Sequence, residues 1–379
     1  MTATKPETDS QALVDDAFMA AALALGRRNL GRTGPNPAVG ALIVKDGVVI
    51  ARGYTALGGR PHAEAIAVAA AGEAARGATL YATLEPCSHH GATPPCVDTI
   101  IAAGIARVVS ALEDPDARVA GRGHTRLREA GIEVTTGVRA VQARADHLGH
   151  ILRVTQGRPM VTLKLAQTAD GYAAGAEHDP RLFITGALAD CVTHIERSLH
   201  SAIMVGHGTA AVDDPLLTVR LPGLETFKPL RVVLDAHLRL SRSSRLAATA
   251  RETPTLVIAG EGVTEAEAQD FAAATGIEVA RISLDAAGRL TLSEALGELA
   301  RRGITRLFSE GGPRVAESLL VASLADDVVL HTGLKPLGRP GRLALSATAR
   351  AILDDPSRYR LADAAMLGVD RLTRYERIA

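Results

Sequence analysis

The sequence predicts an α/β protein in two domains, and three observations lead there. Apolar runs that read as strands alternate with Ala- and Leu-rich runs that read as helices, after an opening hairpin. The length of 379 residues suggests two or three domains at roughly 150 residues each. Gly157-Arg158-Pro159 breaks the pattern, and a fresh strand begins at Met160. The expected domains are residues 1–150 and 158–379.

The elements follow in order. Residues 1–10 are polar, lack an apolar signal core and are expected to be disordered. Residues 11–28, rich in Ala, Leu and Met, read as a helix, and Gly34-Pro35-Asn36-Pro37 as a loop. Strands at 41–45 and 48–51 flank Asp46-Gly47, a strong hairpin signal. An Ala-rich helix is expected over 62–76 and a strand over 78–83. A helix over 97–103 closes at Gly104, and strands at 107–110 and 132–136 flank a helix at 125–130. His62 and Cys96 would each stand at a helix start, where the positive dipole end favours a thiolate. In the second half, strands are expected at 160–166, 202–205, 231–235, 255–258 and 306–309. Helices are expected at 190–199, 293–301 and 315–324. Residues 239–278 are the least readable, and no internal repeat is present.

Composition narrows the function. Apolar residues make up 47% and charged residues 22%, enough for a sizeable core. Lys plus Arg balances Asp plus Glu at 42 each, so no net field favours a nucleic-acid partner. Three cysteines form no disulfide framework and suit a reducing compartment. No apolar run approaches the eighteen or so residues of a membrane helix. The chain is therefore expected to be cytoplasmic, away from membranes, with a small-molecule substrate; a homo-oligomer is compatible with this.

The chemistry concentrates in Pro61-His62-Ala63-Glu64 and in the stretch from Glu85 to Cys96. Imidazole and thiolate suit Zn²⁺, and a catalytic site keeps a fourth position for water. His62, Cys87 and Cys96 would be the three protein ligands. Glu64, two residues from His62, would take a proton from the water and return it to a leaving amine. H-x-E followed by P-C-x-x-C with a non-ligand Glu marks zinc nucleobase deaminases. Here eight residues, not two, separate the cysteines. The bland reading is a surface His, a solvated Glu and two buried thiols. The rival metal reading is a structural zinc with His89 or His90 as fourth ligand, in a binding module rather than an enzyme.

Two further loops carry glycines after strands. Ser309-Glu310-Gly311-Gly312-Pro313 precedes a helix and suits an anion; alone it is often only a turn. Val205-Gly206-His207-Gly208-Thr209 is similar, and together the loops suggest a dinucleotide. The ordinary Rossmann fingerprint is absent. Asp213-Asp214-Pro215 reads as a turn or cap before a metal pair. Cys191 reads as a core thiol, and His124, His147 and His178 as structural or surface residues.

These residues resemble a known family. GPNPAVGALIVKD at 34–46, PHAE at 61–64, LEPCSHHGATPPC at 84–96, DP at 114–115 and VAGRG at 119–123 resemble the deaminase half of the bifunctional deaminase–reductases of riboflavin biosynthesis. LKLAQTADG at 163–171, VGHGTAAVDDPLLTVR at 205–220, VVLD at 232–235 and SEGGP at 309–313 resemble the reductase half. The resemblance implies an N-terminal cytidine-deaminase-like α/β/α domain and a C-terminal dihydrofolate-reductase-like α/β domain. It implies hydrolytic deamination of 2,5-diamino-6-(5-phosphoribosylamino)pyrimidinone, then NADPH-dependent reduction of the ribosyl chain to ribityl. Zinc would sit on His62, Cys87 and Cys96, with Glu64 as the proton shuttle. Ala166, Phe183, Thr209, Asp213, Gly312, Pro313, Arg314, Val315, Ala316, Glu317 and Ser318 would line the NADPH site. Arg197, Leu217, Arg220 and Glu310 would hold the reductase substrate, the two arginines suiting its phosphate. One segment departs. The family usually reads Gly-Glu-Ser-x-Trp-Ile-(Thr/Ser) where this chain has residues 175–185. Phe183 takes the place of Trp, and Arg181 falls near the substrate-binding Ser. A rival reading is a deaminase for another base whose second half binds nucleotide only as a regulator.

Overall fold

The computed structural model describes residues 7–89, 94–116, 120–176, 179–180 and 182–378. The chain divides into two compact units, Met1–Gly157 and Arg158–Ala379.

In the first unit, α1 (Glu7–Gly26) runs into a short 3-10 turn, ahead of the hairpin of β1 (Gly40–Lys45) and β2 (Val48–Tyr54). Asp46 and Gly47 both take positive φ, 52° and 75°, as a two-residue hairpin turn needs. Then come α2 (Ala63–Ala71), β3 (Thr79–Ala82), α3 (Cys96–Ala102), β4 (Arg107–Ser110), α4 (Arg122–Glu129), β5 (Glu133–Thr136) and α5 (Ala140–Gln156). The sheet order is β2-β1-β3-β4-β5; β1 is antiparallel to both neighbours, and β3, β4 and β5 are parallel. Ala63, Ala67, Val97, Ile100 and Leu127 bury α2, α3 and α4 on one face. Met19, Ala22, Leu23 and Ala143 bury α1 and α5 on the other. The unit is a three-layer α/β/α sandwich.

Two differences from expectation have physical reasons. Helix α1 begins at Glu7, so part of the stretch expected to be disordered is helical; residues 1–6 lie outside the described part. Helix α5 was not anticipated, because its buried face is Ala143, His147, Gly149, His150, Ile151 and Leu152. Two histidines and a glycine hide the apolar stripe.

The second unit begins with β6 (Met160–Gln167), β7 (Tyr172–Ala174), α6 (Ala187–Ser198), β8 (Ala202–Gly206) and α7 (His207–Asp213). It continues with β9 (Leu230–Leu234), α8 (Arg245–Ala248), β10 (Thr255–Gly260), α9 (Glu265–Thr275), β11 (Glu278–Ile282) and α10 (Leu292–Arg301). It ends with β12 (Arg306–Ser309), α11 (Pro313–Val321), β13 (Asp327–Thr332), β14 (Arg342–Leu343), α12 (Ala347–Asp354), β15 (Tyr359–Leu367) and β16 (Asp370–Arg377). Nine strands form one sheet in the order β11-β10-β9-β8-β12-β6-β13-β16-β15, all running the same way except β16, which is antiparallel to both β13 and β15. Helices α10, α11 and α12 cover one face through Leu296, Leu299, Leu319, Leu320 and Leu353. Helices α7, α8 and α9 cover the other through Ala210, Leu246, Ala247 and Phe271.

Two expectations are corrected here. His207-Gly208-Thr209 is not a loop but the first turn of α7, with Gly206 as its cap. Cys191 is exposed, not a core thiol. The inward face of α6 is Ala189, Thr193, Glu196 and Arg197, and Cys191 falls on the opposite side. Asp214, at φ 37°, caps the end of α7, as its Asp-Asp-Pro context suggests.

Candidate functional site

In the first unit His62 caps α2 in an extended conformation, and Glu64 stands in the first turn. Cys87 lies in the irregular stretch after β3, and Cys96 opens α3 directly behind Pro95. The ligating atoms of His62, Cys87 and Cys96 all lie within 4.8 Å of one another. His62 Nδ1 is 3.6 Å from Cys87 Sγ and 3.4 Å from Cys96 Sγ. Zinc at about 2.0–2.1 Å from nitrogen and about 2.3 Å from sulfur, in a tetrahedron, sets nitrogen and sulfur about 3.6 Å apart. The three donors therefore fit zinc. Among the described residues His89 does not join this cluster; His90 lies outside them.

The electrostatics agree with the donor chemistry. The Cys96 thiol, aided by His62 against the effect of burial, holds Cys87 down to about 4. Cys87 and burial in turn push Cys96 well up. One thiolate forms readily and the second resists, a repulsion that a dication relieves. Cys87 also raises His62, with burial opposing. Burial pushes Glu64 up to about 7, with His62 opposing. Glu64 is 3% exposed, and its Oε2 is buried without a partner, as is His62 Nε2.

In the second unit the strand order marks a crevice. The chain leaves β8 towards β9, β10 and β11, and leaves β12 the other way, towards β13. Ligands of such sheets bind outside the carboxyl ends of the strands where this reversal occurs. Gly206 to Thr209 follows β8, and Glu310 to Gly312 follows β12. The segments meet there: the Gly312 N–H donates to Thr209 Oγ1 at 3.2 Å. Gly312 caps α11 and Pro313 is its first residue.

Several of the expected substrate residues also gather at this edge. Arg197 Nε and Nη2 donate to the two oxygens of Glu310 at 2.6 and 2.9 Å, and Nη1 donates to Thr218 O at 2.9 Å. Arg197 is thus neutralised by Glu310, and Arg220 is the exposed member of the expected basic pair. The Arg220 amide donates to His194 Nδ1 at 3.2 Å, a neighbour that sequence reasoning did not single out. Leu217 is buried at φ 49°. Ala166 is half-buried beside His331 on β13, and Asp213 is half-buried at the end of α7.

The 313–318 segment is uneven. Ala316 is wholly buried and its amide donates to Gly312 O at 3.1 Å, so it is the member turned inward. Arg314 is exposed, Val315 half-buried, Glu317 accepts from Ser346 Oγ at 2.7 Å, and Ser318 Oγ donates to Arg314 O at 2.9 Å. Phe183 is 88% exposed, while Arg181 and His178 lie outside the described residues. A cavity of about 440 Å³ opens at the carboxyl ends of β9 and β10, lined by His237, Leu238, Arg242, Glu267, Asp270 and Phe271 among others. It falls largely in the stretch that the sequence left unreadable.

Comparison with known proteins places both halves. The chain matches the cytidine and deoxycytidylate deaminase zinc-binding region over residues 13–112 and the RibD C-terminal domain over residues 159–354. It is 40% identical to the riboflavin biosynthesis protein RibD of Aquifex aeolicus over 325 residues, 86% of this chain and 88% of the relative. It is 36% identical to that of Escherichia coli over 369 residues, 94% of this chain and 97% of the relative. Among solved structures, Acinetobacter baumannii RibD is 32% identical with a TM-score of 0.84, over 97% of this chain and all of that one. A Thermotoga maritima diaminohydroxyphosphoribosylaminopyrimidine deaminase/5-amino-6-(5-phosphoribosylamino)uracil reductase is 33% identical with a TM-score of 0.83, over the same shares. The expected fold classes, cytidine-deaminase-like and dihydrofolate-reductase-like, hold for the two halves.

Proposed function

The chain belongs to the RibD family of bifunctional riboflavin-biosynthesis enzymes, and from that premise we propose which residues carry each of its two reactions. Residues 1–150 deaminate the diaminopyrimidine ribosylamine phosphate, and residues 158–379 reduce the ribosyl chain of the product with NADPH. The observation that carries the first assignment is the His62–Cys87–Cys96 cluster with buried Glu64 beside it. Zinc held by those three side chains supplies Lewis acidity that lowers the pKa of water. Glu64 accepts the proton of the water that adds to the amine-bearing ring carbon. It then protonates the amine, the C–N bond breaks, and ammonia leaves. A carboxyl near pH 7 suits both transfers.

In the reductase, the Gly312 cap and the first turn of α11 receive the cofactor pyrophosphate, with Thr209 and Asp213 from α7 opposite. From β12 to β10 is three strand spacings, about 14 Å at ~4.8 Å each. That span lets the adenosine half reach the cavity beyond β9 and β10. Arg220 meets the substrate phosphate, while Arg197, Leu217 and Glu310 fix the ribosyl end. No helix of the described residues is long and apolar enough to cross a membrane; three cysteines with no disulfide framework support a reading as a cytoplasmic enzyme.

The direct test is incubation with the diaminopyrimidine substrate and NADPH, following ammonia and NADPH absorbance together. Both should change, with ammonia first. Ammonia release without NADPH oxidation would leave the second half a nucleotide-binding regulator. Metal analysis should find one zinc per chain, lost in Cys87→Ser; full activity in carefully metal-free protein would overturn the zinc assignment. Gly312→Val should raise the NADPH KM by about 10- to 100-fold, the loss of one charge-assisted hydrogen bond worth about 1.5–3 kcal/mol. A valine Cβ would stand 3.2 Å from Thr209 Oγ1. Deamination should not change, and an unaltered NADPH KM would make the Gly-Gly segment only a turn.

A further inference from the structure

The segment that carries Cys87 is held from two sides by helix N-termini. On one side, the Cys96 N–H donates to Cys87 Sγ at 3.3 Å, and the Val97 N–H donates to Cys87 O at 3.2 Å. On the other side is Glu85, whose side chain is wholly buried. Its Oε2 accepts the N–H of Asp114 at 3.1 Å and of Gly121 at 2.9 Å, and its Oε1 accepts the N–H of His124 at 3.1 Å. Gly121 caps α4 and has no side chain to do so. The amide of His124, third in the helix, is the one a capping Ser or Asp would take. Glu85 takes it instead, and its charge faces the positive end of α4. The helix also presses on the next residue, since a Cβ on Gly123 would lie 2.2 Å from Pro86 O.

We infer that Glu85 is a positioning residue of the metal centre, fixing residues 84–87 against α4 so that Cys87 is presented in ligating geometry before metal arrives. This rests on the reading that His62, Cys87 and Cys96 hold zinc. A carboxylate is required because three N–H donors converge on two oxygens. Glutamine has the same shape but only one acceptor oxygen, and its NH₂ would face an N–H. Outer-shell changes of this kind lower metal affinity by roughly 10- to 100-fold.

The test compares full-length Glu85→Gln with the parent after metal stripping, by zinc competition against a chromophoric chelator. Cobalt substitution adds a spectroscopic readout through the thiolate-to-metal absorption, and thermal melting is followed in parallel. Glu85→Gln should bind zinc about 10- to 100-fold more weakly and alter the cobalt spectrum, with NADPH-dependent reduction unchanged. Arg126→Ala, which removes the 2.5 Å ion pair from α4 to Asp98 on α3, is the control: it should melt earlier at parental zinc affinity. If Glu85→Gln also melts earlier but binds zinc like the parent, Glu85 only caps α4 and the inference is overturned. Should Glu85→Gln not fold, Gly123→Ala keeps the carboxylate and pushes on Pro86; parental zinc affinity in that variant overturns the inference equally. A parent chain that takes up no zinc would sink the metal reading, and the inference with it.

Discussion

Glu64→Gln should lose deamination by at least 10²–10⁴-fold, the usual worth of general acid–base catalysis, because one group serves two proton transfers. Glutamine keeps the size of the side chain and cannot accept a proton. Glu64 lies in the first turn of α2, 3% exposed, with one oxygen unpaired. The substitution therefore removes a buried titrating group without opening a cavity. Zinc should stay bound, since the three ligating atoms belong to other side chains. Reduction of already deaminated substrate should run at the parental rate, because it is assigned to the other compact unit. Each variant is given each substrate separately, and its zinc is measured. Loss of both reactions in a folded, zinc-loaded Glu64→Gln protein would replace two sites by one.

The deaminase centre was legible because its chemistry is local. His62 and Glu64 are two residues apart on one helix start, and Cys87 and Cys96 belong to one turn-rich stretch. The opening hairpin was legible for the same reason, its turn chemistry written in Asp46-Gly47. What stayed hidden is what long-range main-chain contacts decide. Glu85 is a solvated Glu in any one-dimensional reading; its three partners are 29, 36 and 39 residues away and are backbone amides. Arg231 is fully buried, and its guanidinium donates to the carbonyls of Leu216, Leu246 and Thr253 and the hydroxyls of Thr249 and Thr255. Periodicity assigns such a residue to the surface. Residues 239–278 are Ala- and Arg-rich, and apart from the strand expected at 255–258 their pattern hid α8 and α9. Gly206 and Gly208 likewise suggested a loop, where Gly206 caps α7 and Gly208 lies in its first turn.

In the reductase, Glu310→Ala should abolish reduction and also destabilise its unit by about 3–5 kcal/mol, the cost of leaving one partner of a buried ion pair unpaired. Glu310 and Arg197 are 113 residues apart in sequence and join through two bonds of 2.6 and 2.9 Å, with side-chain exposures of 13% and 10%. Burial alone would raise the Glu310 carboxyl, but Arg197 outweighs it and holds it below the ordinary carboxylate range. A depressed carboxyl stabilises the fold above its unfolded pKa, so this contribution is complete above about pH 5 and fades as acid protonates Glu310. Stability and catalysis can still be separated. Replacing both partners by leucine removes the unpaired charge, and buried pairs replaced by apolar residues are often neutral or more stable. The double variant should therefore melt near the parent, release ammonia at the parental rate and oxidise no NADPH. Thermal melting and the two substrate assays decide the matter. A double variant that regains reduction along with stability would show the pair to be a strut of the fold, with substrate held elsewhere.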